Sequence, residues 1–278
     1  MLTLIDGPSR AELVPERGAL VSRFSVASEP VLFMDERTLA DPQKSIRGGI
    51  PLLFPSPGVL PGGIFGVEGR DVRMRKHGFA RDLAWDVAHS ARDRAQLRLG
   101  SSARTRPEFP WEFEARLDVR LEGRALQVAF TVENRDARRM PLHLGLHPYF
   151  YVPQAQKAHV RIETRATRAL DNLAGGERPL RGFPLTDPQV DLQVLDHAAP
   201  GTVLHRGQGL SPVRLSWSGD FRTMVVWTLG GRDFVCVEPW TAPGGALQTH
   251  QGLLSVAPGD TFASEFEISV EPMARFVR

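Results

Sequence analysis

The feature that most constrains this chain is a strict alternation of apolar and charged residues over long stretches. From Phe113 to Leu121 every second residue is apolar, and charged side chains fill the positions between. After a turn at 122–124, alternate apolar positions continue through 126–132. A period of two is typical of a strand with one buried and one solvated face, so the two stretches predict a β-hairpin. The same pattern at 262–270 predicts a further strand.

A different kind of strand is predicted between residues 223 and 240. The apolar runs 224–229 and 234–237 flank a tight Gly-Gly turn, and both faces of each run are apolar. Such strands lie in the centre of a sheet and are covered on both sides. No stretch of comparable length has the spacing of an amphipathic helix. We therefore predict an antiparallel all-β architecture, a large two-sheet sandwich, in a single domain over residues 1–278.

Composition excludes several classes of function. The net charge is +2, and acids alternate with arginines, whereas a nucleic-acid binder masses its basic residues, so we expect no nucleic-acid partner. No apolar run reaches the roughly 20 residues of a membrane helix, and no signal peptide is evident. The single cysteine, Cys236, is typical of a reducing compartment. We expect a cytoplasmic protein without membrane contact, and the sequence does not indicate its oligomeric state.

Glu238 is the first candidate catalytic residue. It ends the apolar run 234–237 and precedes Pro239, which we expect to end the pairing of the strand. A carboxylate at the end of a central strand is partly desolvated, which raises its pKa and suits it to act as a base near neutral pH. Alternatively, the side chain reaches solvent at the rim of the sheet or pairs with an arginine.

Two histidines, His143 and His147, form a second candidate. Gly145 and Pro148 argue against a helix here, and on a strand the two side chains would be roughly 13 Å apart. They are therefore not expected to bind one metal ion. Without an HExxH motif or a cysteine cluster, no metal site is predicted. From this pattern alone, core packing is the favoured explanation of each histidine.

Two glycine-containing segments are weaker candidates. Residues 47–55 read Arg-Gly-Gly-Ile-Pro-Leu-Leu-Phe-Pro, and residues 76–81 read Lys-His-Gly-Phe-Ala-Arg. Each alone is also explained as a structural turn. Neither contains a phosphate-binding glycine motif, so no nucleotide site is predicted. The turn-rich residues 167–188 predict a long surface excursion, either a substrate-side loop or, as we favour, a loop outside the site.

Taken together and in this order, the segments resemble the aldose 1-epimerase (galactose mutarotase-like) family, most closely its hexose-6-phosphate mutarotase branch. Residues 47–55 resemble the RGGIPxxFP block of that branch, and 77–85 its HGFAR…W block. Residues 147–150 are similar to its H-x-YF block, and 235–239 to its VCVEP block. The resemblance covers roughly residues 44–270, and blocks in a fixed order are more specific than any one of them.

The resemblance implies an open β-supersandwich with a sugar in a cleft, and an enzyme that interconverts the α and β anomers of an aldose. Glu238 would remove the proton from the anomeric hydroxyl, and His147 would protonate the ring oxygen. His77 would assist on the substrate's oxygens. Ring opening needs one acid and one base across the hemiacetal, and they exchange roles on closure. We therefore expect neither a metal ion nor a cofactor.

The resemblance also implies residues that bind the substrate, a small-molecule sugar or sugar phosphate. Arg47 and Arg81 match arginines that are placed to bind the 6-phosphate in the phosphate-using branch. An aspartate late in the middle region would hold sugar hydroxyls. Asp187, Asp191 and Asp196 lie near the right position, and Asp191 is preferred.

Three alternatives stay open. In the first, the enzyme is a hexose-6-phosphate 1-epimerase in which Arg47 and Arg81 bind the phosphate. The sequence at 56–57 departs from the family pattern and moves our expectation toward a general aldose. The second is a non-catalytic carbohydrate-binding protein on the same fold, against which the matched Glu238 argues. The third is a glycoside hydrolase or lyase. A hydrolase needs two carboxylates about 5–10 Å apart, and the matched blocks supply one.

Overall fold

The structure is a computed structural model that describes residues 1–272. Its strands, numbered in chain order, are β1 Leu2–Asp6, β2 Ser9–Val14, β3 Leu20–Val26, β4 Glu29–Pro30, β5 Leu52–Leu53, β6 Ile64–Val67, β7 Arg70–Arg73, β8 Asp86–Ser90, β9 Arg94–Gly100, β10 Phe113–Glu122, β11 Ala125–Asn134, β12 Met140–Leu142, β13 Gly145–Leu146, β14 Tyr149–Tyr151, β15 Arg161–Ile162, β16 Arg168–Asp171, β17 Glu177–Pro179, β18 Gln189–Val194, β19 Gly201–His205, β20 Val213–Trp217, β21 Thr223–Leu229, β22 Phe234–Trp240, β23 Leu254–Val256 and β24 Thr261–Val270. The helices are α1 Glu36–Ala40, α2 Ala246–Thr249, and 3-10 helices at Pro15–Arg17, Pro61–Gly63, Ala80–Asp82 and Gln154–His159. Within residues 1–272, none of the helices is long and apolar enough to cross a membrane.

Three sheets carry the fold, and their strand ladders are antiparallel, as predicted. The N-terminal sheet has the order β1-β2-β3-β4, and the outer sheet has the order β15-β19-β20-β24-β11-β10-β9-β8. The third, which we name the cleft sheet, has the order β17-β16-β18-β21-β22-β13-β5, and β14 also pairs with β22. Two further pairs, β6–β7 and β12–β23, complete the strands.

The outer sheet contains the predicted hairpin. In β10 and β11, Val119 pairs with Val128 and Leu121 with Leu126, so the alternating apolar residues of both strands share one face. That face is buried, while the charged residues between them are partly or fully exposed. The predicted C-terminal strand is β24, which pairs with β11. The alternation therefore predicted the strands and the buried face.

The central position of the two apolar strands is also confirmed. β21 and β22 pair with each other, between β18 on one side and β13 and β14 on the other. The expected end of pairing at Pro239 is wrong, because β22 continues to Trp240, which pairs with Gly145. Backbone nitrogens two residues apart in a strand point to the same edge, so the nitrogen of Pro239 points to the same edge of β22 as that of Thr241. The Thr241 N–H donates there to the oxygen of Leu144, between β12 and β13. No ladder pair of residues 1–272 is formed at Pro239 on that edge, so the missing N–H costs no ladder bond.

The expectation for residues 167–188, a surface excursion outside the site, is wrong in part. β16 and β17 form a hairpin there, and β16 pairs with β18, so the segment extends the cleft sheet. Leu170 and Asn172 from this hairpin reach the cleft described below. A strand of four residues with an exposed first position is too short to give a period-two signal among so many turn residues.

The cleft sheet packs one face against the outer sheet and leaves the other open. Val226 and Val237, which point away from the open face, lie in one buried cluster with Phe130 of the outer sheet. Leu13 and Phe24 of the N-terminal sheet belong to the same cluster. Burial of each such side chain stabilises the fold by about 1.5–3 kcal/mol, so this shared core holds the open face in a fixed position.

Candidate active site

The open face of the cleft sheet is lined by alternate residues of its strands. Its neighbouring cross-strand rows are Asp191, Trp227, Cys236 and Tyr149, then Gln193, Val225 and Glu238, then Thr223, Trp240 and Gly145. On the far edge of β22, Cys236 pairs with Tyr149 and Trp240 with Gly145. The same register, continued between these two pairs, sets His147 opposite Glu238. The ladder therefore brings together two residues that are 91 positions apart in the sequence.

Glu238 and His147 are in direct contact. Glu238 Oε1 lies 3.3 Å from His147 Nε2, and both side chains are almost fully buried. The imidazole is stacked on the Tyr149 ring, with 4.6 Å between ring centres and 7° between planes. Because β22 continues beyond Glu238, the carboxylate lies at the floor of the cleft. The alternative that Glu238 reaches solvent or pairs with an arginine is therefore wrong.

Burial determines where the proton of this pair rests. Burial, together with the negative charge of Asp191, raises the pKa of Glu238 well above its usual value. Burial also lowers the pKa of His147 to about 3, and the charges of Arg81 and Lys76 act in the same direction. Burial therefore favours the neutral form of both side chains, with the proton of the pair on Glu238. A single proton on the pair leaves both side chains neutral when it is on Glu238 and both side chains charged when it is on His147.

His77 approaches the pair from a loop between β7 and β8. Its ring centre lies 5.7 Å from that of His147. The backbone N–H of Gly58 donates to Nδ1 of His77 at 3.0 Å, so the ring proton of the neutral imidazole is on Nε2. Burial, and then repulsion by His147, lowers the pKa of His77 well below its usual value. His77 is therefore a neutral hydrogen-bond donor at the cleft.

Three cationic side chains, Arg47, Lys76 and Arg81, line the same cleft. The guanidinium of Arg47 lies 5.9 Å from the centre of the Trp227 ring. Among residues 1–272, no carboxylate is within ion-pairing distance of Arg47 or Lys76. Nε of Arg81 is 3.8 Å from Asp82, is buried, and has no hydrogen-bond acceptor in this part of the chain. The cleft therefore carries positive charge that the protein does not neutralise.

A chain of amide hydrogen bonds forms the opposite wall. Asn172 Nδ2 donates to Asp191 at 2.6 Å, and Gln193 Nε2 donates to Asn172 at 2.8 Å. Gln193 in turn accepts a hydrogen bond from the backbone N–H of Gly244 at 2.8 Å. Burial raises the pKa of Asp191, and the hydrogen bond from Asn172 opposes that rise. The chain fixes the orientation of Asp191 and leaves its second oxygen free of these bonds.

The six site residues predicted from the sequence all line this one cleft, which has a volume of about 590 Å³: Arg47, His77, Arg81, His147, Asp191 and Glu238. Sequence reasoning missed the contributions of Lys76, Asn172, Gln193 and Trp240. A period of two from Glu238 identifies Trp240 as a residue of the same face, whereas Asn172 lies in a turn and has no such signal.

The remaining sequence candidates lie elsewhere. His143 is fully buried behind the cleft, and its Nε2 is 2.9 Å from the carbonyl oxygen of Ala242, so it packs in the core. Asp196 accepts hydrogen bonds from the backbone of Thr167 and Arg168 at the surface. Of the three aspartates considered, only Asp191 reaches the cleft.

One group in residues 1–272 has ligand atoms close enough to hold a metal ion. It consists of His147, Cys236 and Glu238, whose ligand atoms lie within 4.8 Å of one another. Burial raises the pKa of the Cys236 thiol well above its usual value, and that of Glu238 likewise. A metal binds the deprotonated forms of both groups, so the donor set fits a metal poorly and suits a neutral acid–base pair beside a thiol.

Two other concavities lie along the outer sheet. One, of about 500 Å³, contains Asp118 and Glu265, and a larger one, of about 1150 Å³, contains Arg161 and Glu163. Each of these residues is partly or fully exposed. The buried acid–base pair makes the cleft on the cleft sheet the candidate active site.

A buried carboxyl–imidazole pair in a cleft on an antiparallel β-sandwich suits an enzyme that moves protons on a carbohydrate, a carbohydrate isomerase. The chain belongs to the aldose 1-epimerase family, whose profile matches residues 1–269. It is a sugar mutarotase, and it acts on a sugar or sugar phosphate. The family, the fold and the class of enzyme predicted from the sequence are confirmed.

Several known proteins are similar to this chain. The solved Slr1438 protein of Synechocystis sp. PCC 6803 is 34% identical, covers 97% of this chain and 95% of its own, and superposes with a TM-score of 0.93. A protein of Cenchrus ciliaris named "Putative glucose-6-phosphate 1-epimerase" is 25% identical over 291 residues, covering 94% of this chain and 82% of the relative. A galactose mutarotase-like protein of Lactobacillus casei ATCC 334 is 20% identical, covers 98% and 100% of the two chains, and shares the fold with a TM-score of 0.79.

Proposed function

We propose that Glu238 and His147 are the acid–base pair of the mutarotase, with His77 as an auxiliary donor. The observation that carries this proposal is the 3.3 Å contact between Glu238 Oε1 and His147 Nε2 at the floor of the cleft. Anomer interconversion needs one group to take the O1 proton while another delivers a proton to the ring oxygen O5. A pair that shares one proton meets both needs without a net change in its protonation.

The proton balance of the reaction follows from this pair. Transfer of the resting proton from Glu238 to His147 gives a carboxylate and an imidazolium without proton exchange with solvent. Glu238 then takes the proton of O1 as the C1–O5 bond breaks, and His147 gives its proton to O5. After rotation about C1–C2, O5 attacks the other face of the aldehyde, and both protons return.

The other side chains of the cleft bind the sugar in this proposal. His77 Nε2–H donates to a substrate oxygen, since the backbone of Gly58 holds Nδ1 as the acceptor. Asp191, oriented by Asn172, accepts from sugar hydroxyls.

We further propose that the substrate is a phosphorylated aldose. Arg47, Lys76 and Arg81 line the cleft, and neither Arg47 nor Lys76 has an ion-pair partner in the part of the chain described. Guanidinium groups suit a phosphate because each donates two parallel hydrogen bonds. The name of the Cenchrus ciliaris relative supports the same choice. This proposal moves away from the general aldose favoured on sequence grounds: residues 56–57 are not among those that line the cleft, so their departure from the family pattern is weak support for that choice.

For the location of the enzyme, we propose the cytoplasm. The single cysteine of the chain, Cys236, is buried and free, which is typical of a protein from a reducing compartment.

The test of the acid–base pair is Glu238→Gln, which keeps the side-chain shape and removes the ionisable group. We expect anomer exchange of glucose 6-phosphate and of glucose, followed by NMR exchange spectroscopy, to fall at least about 100-fold. Binding of the sugar, measured by calorimetry, should persist. The matched control is Glu265→Gln on the outer sheet, where the carboxylate is exposed and should not matter. Unchanged exchange in Glu238→Gln would refute the proposed role.

A further inference from the structure

The Trp240 side chain is held against the catalytic carboxyl group. Its indole Nε1–H donates to Glu238 Oε2 at 3.1 Å, while the other oxygen, Oε1, faces His147. The two residues are separated by one position in β22 and therefore lie on the same face of the sheet. In the Glu238 carboxyl group, Oε2 therefore accepts from the indole, and Oε1 lies at the floor of the cleft.

The indole ring lies in a slot that two glycines leave open. A Cβ atom at Gly145 would lie 2.6 Å from Cδ1 of Trp240, and one at Gly58 would lie 3.3 Å from its Cζ3. Edge contacts with the rings of His77 and His143, at 6.2 and 6.3 Å between centres, hold it from two further sides. Trp240 is almost fully buried, so its orientation is fixed by packing.

From this geometry we propose that Trp240 is a positioning residue, whose indole N–H fixes the rotation of the Glu238 carboxyl group so that Oε1 meets the anomeric hydroxyl. The inference rests on the proposed role of Glu238. An indole N–H only donates and does not titrate, so it leaves the proton on Oε1, the oxygen that exchanges it with His147 or the sugar. A carboxyl group without this bond would rotate and present either oxygen to the substrate.

The same hydrogen bond stabilises the charged form of Glu238. It lowers the pKa of a carboxyl group that burial otherwise raises. Activity falls at high pH when the Glu238–His147 pair loses its shared proton. Removal of the indole N–H should raise the pKa of Glu238. The fall of kcat at high pH, the basic limb of the pH profile of kcat, should therefore move to higher pH. A residue that only fills space would not move it.

The test uses two variants of the full chain. Trp240→Phe removes the N–H together with part of the ring. Replacement of Trp240 by benzothienylalanine, introduced as an unnatural amino acid, exchanges the N–H for sulfur and keeps the ring size. For both we expect kcat to fall about tenfold, with less than a twofold change in KM. We also expect the basic limb to shift upward by about one pH unit, as for loss of a hydrogen bond to a charged group.

The outcomes separate this inference from the proposed function. If the benzothienylalanine variant keeps the wild-type kcat and basic limb, Trp240 only packs and the inference is wrong. If Glu238→Gln itself remains active, the proposed function fails first. If both Trp240 variants lose activity but neither shifts the basic limb, the role is structural and the inference is again wrong.

Discussion

At the scale of single residues, three cationic side chains line the cleft. A substitution at one of them distinguishes a phosphorylated sugar from a free sugar as the substrate. In Arg47→Ala, we expect kcat/KM for glucose 6-phosphate to fall about 10–100-fold, since a charge-assisted hydrogen bond contributes about 1.5–3 kcal/mol. For glucose, which has no phosphate to bind, the value should change less than about threefold. Coupled assays of anomer decay with both sugars provide the measurement.

The matched control for Arg47→Ala is Arg232→Ala. Arg232 is exposed, does not line the cleft, and lies 4.0 Å from Asp35. Its replacement by alanine changes the net charge by the same amount as Arg47→Ala. It should leave both sugars unaffected. If Arg47→Ala lowers kcat/KM equally for glucose and glucose 6-phosphate, Arg47 does not bind the phosphate. If the wild-type protein prefers glucose, the proposal of a phosphorylated substrate is wrong.

Single residues also mark the limit of sequence-based reasoning at this site. Glu238 and His147 were predicted as the acid–base pair because the segments that contain them resemble blocks of the aldose 1-epimerase family. Their contact depends on the register of β22 with β13 and β14, which pattern reasoning does not supply. Asn172 orients Asp191 from a turn, where residue type alone does not distinguish a ligand from a turn former.

At the scale of elements, the loop from β7 to β8 is held by close backbone contacts. His77 has φ +68°, and its backbone N–H donates to the oxygen of Gly58 at 2.8 Å. The next residue, Gly78, has φ +70°, and a Cβ atom there would lie 2.2 Å from the carbonyl oxygen of Phe54. Only glycine fits this position. A single glycine is a weak signal in the sequence, yet here it fixes the position of His77.

This contact predicts the effect of Gly78→Ala. Left-handed strain and the clash with Phe54 should together lower the free energy of unfolding by about 3 kcal/mol. Because the loop must move, His77 is displaced and kcat should fall as well. Urea unfolding and anomer exchange measure the two effects.

The control for this glycine is Gly123→Ala in the turn of the β10–β11 hairpin. Gly123 has φ +59°, but a Cβ atom there meets nothing within 4 Å. Only the backbone strain remains, so the loss should be about 1 kcal/mol, with unchanged kcat. Equal losses in the two variants would contradict the role assigned to the Phe54 contact.

At the scale of the whole molecule, the period of two in the sequence predicted the long strands of the sheets better than the short strands. Long alternating strands such as β10 and β24 bury one face, so their pattern survives in the sequence. Short strands such as β16 have too few residues to show a period. The apolar pair β21 and β22 was placed correctly in the centre. However, the open face of β22 lines the cleft, which an apolar pattern does not distinguish from a second covering layer.

The single domain predicted over the chain has a consequence for its unfolding. We propose that the three sheets unfold as one cooperative unit, because one buried cluster includes residues of all three, such as Leu13, Phe130 and Val226. In addition, the fully buried guanidinium of Arg206 donates to the Glu29 carboxylate and, at 2.7 Å, to the oxygen of Pro30, which ties the N-terminal sheet to the loop after β19.

Urea unfolding followed by far-ultraviolet circular dichroism and by tryptophan fluorescence should therefore give coincident single transitions. The comparison is sensitive, because Trp85, Trp217 and Trp240 lie in different parts of the fold. Glu29→Gln should lower the free energy of unfolding by about 2 kcal/mol, since it removes the charged partner of Arg206. If the sheets are one unit, the whole transition moves and stays single. If the variant instead shows an early step, with the N-terminal sheet lost before the rest, the sheets are separate units and the single-domain proposal is wrong.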